Sequence, residues 1–260
     1  MEAALIAVSL HLLDDLPELT GPARLRDHVV GLSGTAAVKD TLEALGIPHT
    51  EVDLLLLGGQ PIGFGHHLAD GDRVEVHPVP PAAQEGREEM PEARLQPRPL
   101  AWDRFVCDRH LGRLARMLRT LGFDTLYRND WTEAQIVAAA RHGDRAVLTG
   151  SRALLKRRTV ERGRLIRSDF ADEQTREVLQ RFGLVRRVRP FARCNLCNGE
   201  LRPVPKQEVE ARIPPRTRAW LDEYFVCSSC DHLYWDGTHV ERMRARIDAI
   251  LAGLPGAGGR

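Results

Sequence analysis

The sequence predicts an α/β protein. A parallel sheet flanked by helices is preceded by an α+β unit and followed by a small cysteine-bearing ribbon. Three observations carry this reading. Between Arg104 and Asp169, apolar runs of strand length alternate with helical patterns, and that order favours a parallel sheet covered by helices. Before residue 80, a strand, a helix and further strands follow closely. After residue 189, two Cys-x-x-Cys pairs stand about thirty residues apart. The expected division is 1–80, a linker over 81–100, the sheet domain over 101–188, the ribbon over 189–243, and a C-terminal helix with a flexible tail over 244–260.

The first unit opens with a strand-like run, Leu5 to Leu12. Val38, Leu42 and Leu45 then fall at helical spacing and the pattern stops at Gly46, a natural helix end. Val52 to Leu57 and Arg73 to Val76 read as strands, with the Gly58-Gly59 turn between them. The stretch from Val38 to Pro78, including LLLLGGQPIGFGHHLADGDRVEVHP, resembles the β-grasp fold of ubiquitin-like sulfur carriers. Those carriers end in a free Gly-Gly tail. Here Gly58-Gly59 lies mid-domain and Gly258-Gly259 is followed by Arg260, which argues against a carrier role and for an interaction or packing module. His66-His67 has no carboxylate or cysteine cluster around it and reads as a pair of exposed loop histidines. From Pro78 to Pro99 the composition turns to Pro, Glu, Ala and Arg without apolar period, the mark of a solvated, semi-stiff linker.

In the sheet domain, the strand candidates are Phe105 to Cys107, Phe123 to Tyr127, Arg145 to Thr149 and Gly163 to Arg167. Ligands of such sheets bind at the carboxyl ends of the strands, and Asp108 and Asp169 follow two of them. Leu111, Leu114, Ala115, Leu118 and Leu121 form a helical core stripe, with Arg109, Arg113 and Arg116 on another face. Such a face is either a solvated surface or a grip on phosphates, which guanidinium pairs bidentately. Thr132-Glu133-Ala134-Gln135 fits a helix capping box. Glu133 is therefore either part of a cap or a carboxylate aimed at the strand ends, and Asp130 competes with it. Ser151 is a good helix cap, and Arg152, Lys156, Arg157 and Arg158 extend the basic surface. Cys107, inside an apolar strand, reads as a core residue.

Charge is uneven. Residues 1–100 carry 7 Lys+Arg against 16 Asp+Glu, whereas residues 101–260 carry 30 against 20. That asymmetry suggests a polyanion partner for the basic half, or two domains that attract one another, and both can hold. The acidic half is a candidate surface for a protein partner. Hydrophobic content of 43% and charged content of 28% are ordinary for a globular chain. There is no run of eighteen apolar residues and no signal pattern, so the expected location is cytoplasmic.

Cys194, Cys197, Cys227 and Cys230 form two knuckles. Four thiolates around Zn²⁺ leave no open position and mark a structural site. Disulfides are the competing reading, which a cytosolic setting disfavours. Arg181, Arg186, Arg187, Arg189 and Arg193 form a basic approach to the ribbon, and Tyr224, Phe225, Tyr234 and Trp235 interleave aromatics with its second knuckle. Cations beside aromatics suit single-stranded RNA, although Phe225 and Trp235 read better as ribbon core. His232 and His239 are superfluous as ligands beside four cysteines. Arg242 to Arg246 begin a last helix, followed after Leu254 by the Gly-rich tail.

Residues 104 to 240 resemble the Mut-seven C-terminal RNase family, which joins a PIN-like nuclease fold to a zinc ribbon. The likeness rests on FVCDRHLGRLARMLRTLGFDTLYRND, AVLTGSRALLKRR, RSDFADEQTREVLQRFGL and RCNLCNGELRPVP followed by FVCSSCDHLYWDGTHVERM, in that order. A β-grasp, ubiquitin-like unit ahead of that nuclease is a known architecture. The resemblance implies a carboxylate cluster that holds Mg²⁺ or Mn²⁺ and hydrolyses RNA, with Asp108 as first acid, Glu133 where the family has Asp, and Asp169 last. The remaining acid belongs after Leu-Thr-x, where this chain has Ser151. A neutral hydroxyl there lowers the expected metal affinity and rate, and Asp172 either compensates or caps a helix. Two functions follow. One is a metal-dependent endoribonuclease; the other is an RNA-binding protein, for structured RNA such as tRNA, whose site has decayed.

Overall fold

The computed structural model describes residues 5–86 and 90–256; the last part of the expected flexible tail, 257–260, lies outside the described residues. The first unit contains β1 (Leu5–Leu12), β2 (Asp27–Ser33), α1 (Val38–Ala44), β3 (Val52–Leu57), β4 (Gln60–Pro61) and β5 (Arg73–Pro78). Its strands lie in the order β2-β1-β5-β3-β4. Only β1 and β5 run parallel. Every second residue of β1, Val8, Leu10 and Leu12, turns inward under Val38 and Leu42 of α1, as the two-residue period of a strand requires. Gly58 and Gly59 turn β3 into β4 with φ of 57° and 77°, a conformation that side chains with a Cβ resist. Strand β2 is absent from the sequence reading. Its outward residues Asp27, Val29, Gly31 and Ser33 are exposed and its inward ones only half-buried, so its apolar alternation is faint.

The second unit contains β6 (Arg104–Cys107), α2 (Gly112–Thr120), β7 (Asp124–Tyr127), α3 (Glu133–Gly143), β8 (Ala146–Thr149), α4 (Arg152–Leu155), β9 (Gly163–Leu165) and α5 (Ala171–Arg181). The sheet is fully parallel, in the order β7-β6-β8-β9. Phe105, Cys107, Ala146 and Leu148 pack with α2 and α5, while Val106 and Val147 pack with α3 and α4. Both faces are therefore buried, as a parallel sheet demands. Cys107 has no exposure, and burial pushes its thiol up; it is a core residue.

The third unit contains β10 (Leu201–Val204), α6 (Lys206–Val209), α7 (Pro215–Arg218), β11 (Tyr224–Cys227), β12 (Leu233–Trp235) and α8 (Thr238–Leu251). The two short helices fill the wide gap between the knuckles. Tyr224 is buried in the ribbon core and Trp235 packs against that core. Helix α8 begins a turn earlier than Arg242, because Gly237 occupies its N-cap position. It folds back so that Ile247, Ile250 and Leu251 share a core with Val178 and Leu179 of α5. Among the described residues, no helix is long and apolar enough to cross a membrane.

Of the stretch 81–100, expected to be a solvated linker, residues 87–89 lie outside the described residues and 81–93 is mostly exposed where described. The end from Leu95 to Arg98 is held against the first unit. The Leu95 amide donates to the Asp53 carbonyl at 2.7 Å, and the Gln96 side chain donates to the carbonyls of His49 and Val52 at 2.7 Å each. Arg98 grips both Asp53 carboxylate oxygens at 3.2 and 2.8 Å. Asp53 is wholly buried, and a buried carboxylate needs such partners. The segment from Leu95 to Arg98 is thus a fixed strap.

The first two units also share one core. Leu10, Leu42, Leu55 and Val76 belong to the same apolar cluster as Val106, Ile136, Val147 and Leu155. Buried Glu51 reaches across to Arg164 and accepts the Leu165 amide at 2.7 Å. Arg167 pairs with Asp15 at 2.9 Å and Glu18 at 3.2 Å. Acid meets base here as the charge asymmetry suggested. Arg181, expected on the basic approach to the ribbon, is instead 8% exposed. Burial pulls its guanidinium down to about 10, against the opposing charges of Glu51 and Asp53.

Candidate functional site

Strand β6 leads through α2 to β7 on one side, and β8 leads through α4 to β9 on the other. The chain therefore reverses direction between β6 and β8, and crevices at such switch points are where α/β sheets bind ligands. Asp108 stands there, immediately after β6, and is 5% exposed. Its Oδ1 accepts the His110 amide at 2.8 Å, and its Oδ2 accepts the Gly150 amide at 3.2 Å together with a close hydrogen bond from the Thr149 hydroxyl. Thr149 Oγ1 in turn accepts the Ser151 amide at 2.8 Å. The loop after β8 thus fixes the rotamer of the Asp108 carboxylate.

The other predicted residues surround this point differently. Ser151 caps α4, its hydroxyl accepting the Leu154 amide at 3.4 Å. The capping box of α3 is closed by Thr132 and Gln135, which leaves the Glu133 carboxylate out of it. Glu133 instead meets Arg157 at 2.7 Å, both side chains being nearly half exposed. Asp169 is exposed and has no hydrogen bond or ion pair among the described residues. Asp130 is held by Arg128 through two hydrogen bonds of 2.9 and 2.8 Å on the open surface. Asp172 makes no cap; it accepts two hydrogen bonds from Arg246 of α8 at 2.9 and 2.7 Å. Among the described residues, the four cysteines are the only group of three or more His, Cys, Asp or Glu side chains close enough to share an ion. Asp108, Glu133 and Asp169 do not gather into a preassembled set.

The predicted phosphate-gripping cations divide in two. Arg113 and Arg116 on α2 have exposed side chains unpaired among the described residues, and the Arg109 guanidinium bonds the His110 ring at 3.0 Å. Arg158 is likewise exposed. Lys156, by contrast, is turned into the first unit, where it donates to the Glu43 carbonyl. Arg152 is exposed, its side chain passing near Gly46 of that unit, and Arg157 is taken by Glu133. The open cations are therefore Arg113 and Arg116 of α2 together with Arg152 and Arg158.

The four cysteine sulfurs lie within 4.8 Å of one another and could hold a metal ion. All are free thiols, with Cys194 to Cys230 at 3.7 Å and Cys197 to Cys227 at 3.4 Å. A tetrahedral Zn²⁺ with bonds of about 2.3 Å separates its sulfurs by roughly 3.8 Å, so the donor set fits. Tyr234 points its hydroxyl at Cys194 Sγ, 3.0 Å away. Burial works against the Cys194 thiolate, but that hydroxyl and nearby backbone amides bring the thiol down to about 7. The first knuckle is tied to the sheet. Arg119 donates to the Asn195 and Leu196 carbonyls at 3.2 and 2.8 Å, and Asn198 bonds Asp124 at 2.7 Å and the Thr125 amide at 2.9 Å. Burial disfavours the Asp124 charge, yet hydrogen bonds from Arg145 and Asn198 outweigh it and hold the carboxyl below the usual range.

Residues 103–247, more than half of the chain, match the family model described as the Mut7-C RNAse domain. The chain belongs to that family. Residues 7–84 match a second model, Mut7-C ubiquitin, so the Mut7-C RNAse domain is preceded by a ubiquitin-like unit. Among solved structures, residues covering 28% of this chain are similar to 97% of H. volcanii small archaeal modifier protein 1, with 25% identity and a TM-score of 0.24. No curated protein matches. The RNAse domain match spans the crevice at Asp108 and all four cysteines. Sequence reasoning missed Thr149 as the partner of Asp108, and Arg119, Asp124 and Asn198 as ties to the knuckle. Each lies inside a quoted motif, but only the fold shows what its polar atoms reach.

Proposed function

We propose that this Mut7-C protein is a divalent-metal-dependent endoribonuclease working at the strand ends around Asp108. One observation carries the reading: within an RNAse domain, a nearly buried carboxylate is oriented by three donors at the switch point of a parallel sheet. Hard divalent ions such as Mg²⁺ and Mn²⁺ prefer oxygen ligands. Asp108 would hold one, since three donors occupy all but about one of the roughly four lone-pair directions of a carboxylate. Asp169 is free to join it, and Glu133 would do so by releasing Arg157. Bound there, the ion supplies Lewis acidity and a hydroxide nucleophile at neutral pH. Thr149 and the Gly150 amide keep the Asp108 oxygens aimed, and Arg109, Arg113 and Arg116 grip substrate phosphates. The four cysteines are assigned a structural Zn²⁺ on the strength of their donor type and spacing.

The neutral hydroxyl of Ser151 favours a second reading, an RNA binder without cleavage. The discriminating experiment is cleavage of total RNA at increasing Mn²⁺ or Mg²⁺ and with EDTA, using the wild-type chain and Ser151→Asp. Aspartate caps helices as well as serine does, so the substitution adds a ligand without disturbing α4. The expected result is metal-dependent cleavage whose half-maximal metal concentration falls at least about tenfold in Ser151→Asp, the effect of about 1.4 kcal/mol. Intact RNA that is nevertheless shifted on a gel by the wild type establishes the second reading.

A further inference from the structure

The loop between β9 and α5 is pinned at every turn. The Glu177 carboxylate accepts the amides of Arg167 and Ser168 at 3.1 and 2.9 Å, and Gln174 donates to the Ser168 carbonyl at 2.8 Å. The Phe170 amide donates to Ser168 Oγ at 3.1 Å, and its carbonyl accepts the Gln174 amide at 2.9 Å. At the crest of this fixed loop the Phe170 ring is 75% exposed. None of the chain's other phenylalanines is exposed. Exposure here is not the product of a slack chain, nor of a missing core, because Ile166 and Thr175 on either side of the loop are buried.

Its position is as telling as its exposure. The Ile166 amide bonds the Thr149 carbonyl at 2.8 Å, and Thr149 is the residue that holds Asp108. The loop therefore rises from the end of the sheet beside the switch point, and Phe170 directly follows Asp169. Two neighbouring carboxylates are occupied, Asp172 by Arg246 and Glu177 by backbone amides, while Asp169 remains open for the ion proposed above. A rigid, apolar π-face next to a site for phosphodiester chemistry suits one partner above all, an unpaired nucleobase. Stacking accepts any base and is worth about 1–3 kcal/mol per base. A base in an A-form duplex has no face to offer, since both are stacked.

We infer that Phe170 is a stacking platform for an unpaired base next to the scissile phosphate, so that this site selects single-stranded or looped RNA over duplex. The inference rests on the ribonuclease reading for its substrate but is tested by binding as well as by cleavage. The probe is a single-stranded RNA carrying 2-aminopurine, whose fluorescence is quenched by stacking, alongside the same strand in a duplex. The full-length wild type, Phe170→Ala and Phe170→Trp are compared, with melting curves to verify folding. The wild type should quench the probe on binding. Phe170→Ala should lose the quench and bind about 5- to 150-fold more weakly, the equivalent of 1–3 kcal/mol, with the loss appearing in KM wherever cleavage is seen. Phe170→Trp should restore both. Duplex binding should be the same in all three. A wild type that binds without quenching, or an alanine variant that binds and quenches like the wild type, overturns the platform. So does a wild type that does not bind single-stranded RNA. Loss of quench and affinity in Phe170→Ala, with no cleavage by any of the proteins, keeps the platform and removes the nuclease instead.

Discussion

Glu51→Ala is expected to destabilise the protein by about 3–5 kcal/mol, the cost of deleting one partner of a buried ion pair. Glu51 is 2% exposed and pairs with Arg164, whose own guanidinium is nearly enclosed. Burial would lower the Arg164 pKa, but the charges of Glu51, Asp15 and Glu177 outweigh it and raise it. Without Glu51 the guanidinium stays buried with less compensation, and the Leu165 amide loses its acceptor. For a chain of this size, 1 kcal/mol moves the midpoint by about 2–4 °C, so Tm should fall by on the order of 10 °C. Replacing both partners by apolar residues, Glu51→Leu with Arg164→Met, should recover much of the loss, because an apolar pair carries no desolvation penalty. The units share one core, so a single cooperative transition is expected in every variant. A loss below about 1 kcal/mol, the ordinary effect of a surface change, would mean that the two units are not joined through this pair.

Loss of the metal proposed at the four cysteines has the largest expected effect. Structural zinc contributes about 10–16 kcal/mol of apparent binding energy in small zinc-finger peptides at neutral pH. The ribbon here has a core of only Val204, Val209, Ile213, Tyr224, Val226 and Leu233 with two partly buried neighbours, too few to fold without the metal. Cys194→Ser or a strong chelator should therefore unfold the ribbon. The damage should spread, because Arg119 and Asn198 connect the first knuckle to the edge strand β7. Hydrogen exchange is the appropriate measurement. Amides of β10, β11 and β12 should lose protection, and those of β7 should exchange faster than those of β6. Elemental analysis that finds no zinc in the purified protein, or a ribbon that stays protected after chelation, would reject the assignment.

Much of the architecture was legible in the residues because it depends on short-range signals. The strand β3 was marked by Val52 to Leu57 and its glycine turn, and α3 by the spacing of Thr132 and Gln135. The order of strands and helices sufficed to place Asp108 at a strand end. What escaped was decided by long-range contacts. Nothing local announces that the proline-rich stretch will be held by Asp53, that Lys156 will bond Glu43, or that Arg181 will be buried. The division of the basic residues between an intramolecular contact and an open face therefore became visible only in the fold. Glu133 illustrates the same point, since nothing local announces that its carboxylate will pair with Arg157.

The most direct test of the central claim is RNA cleavage by Asp108→Asn beside the wild type, in Mn²⁺, Mg²⁺ and EDTA. Asparagine keeps the shape but replaces one of the two accepting oxygens by an NH2, and it offers a divalent ion no charge. Asp108 is nearly buried, so a melting curve accompanies the assay to show that the variant is folded. The account predicts metal-dependent cleavage by the wild type that falls by at least about 10³-fold in Asp108→Asn, a loss of roughly 4 kcal/mol of transition-state stabilisation. Equal cleavage by a folded Asp108→Asn protein would contradict it, and would move the chemistry away from the end of β6.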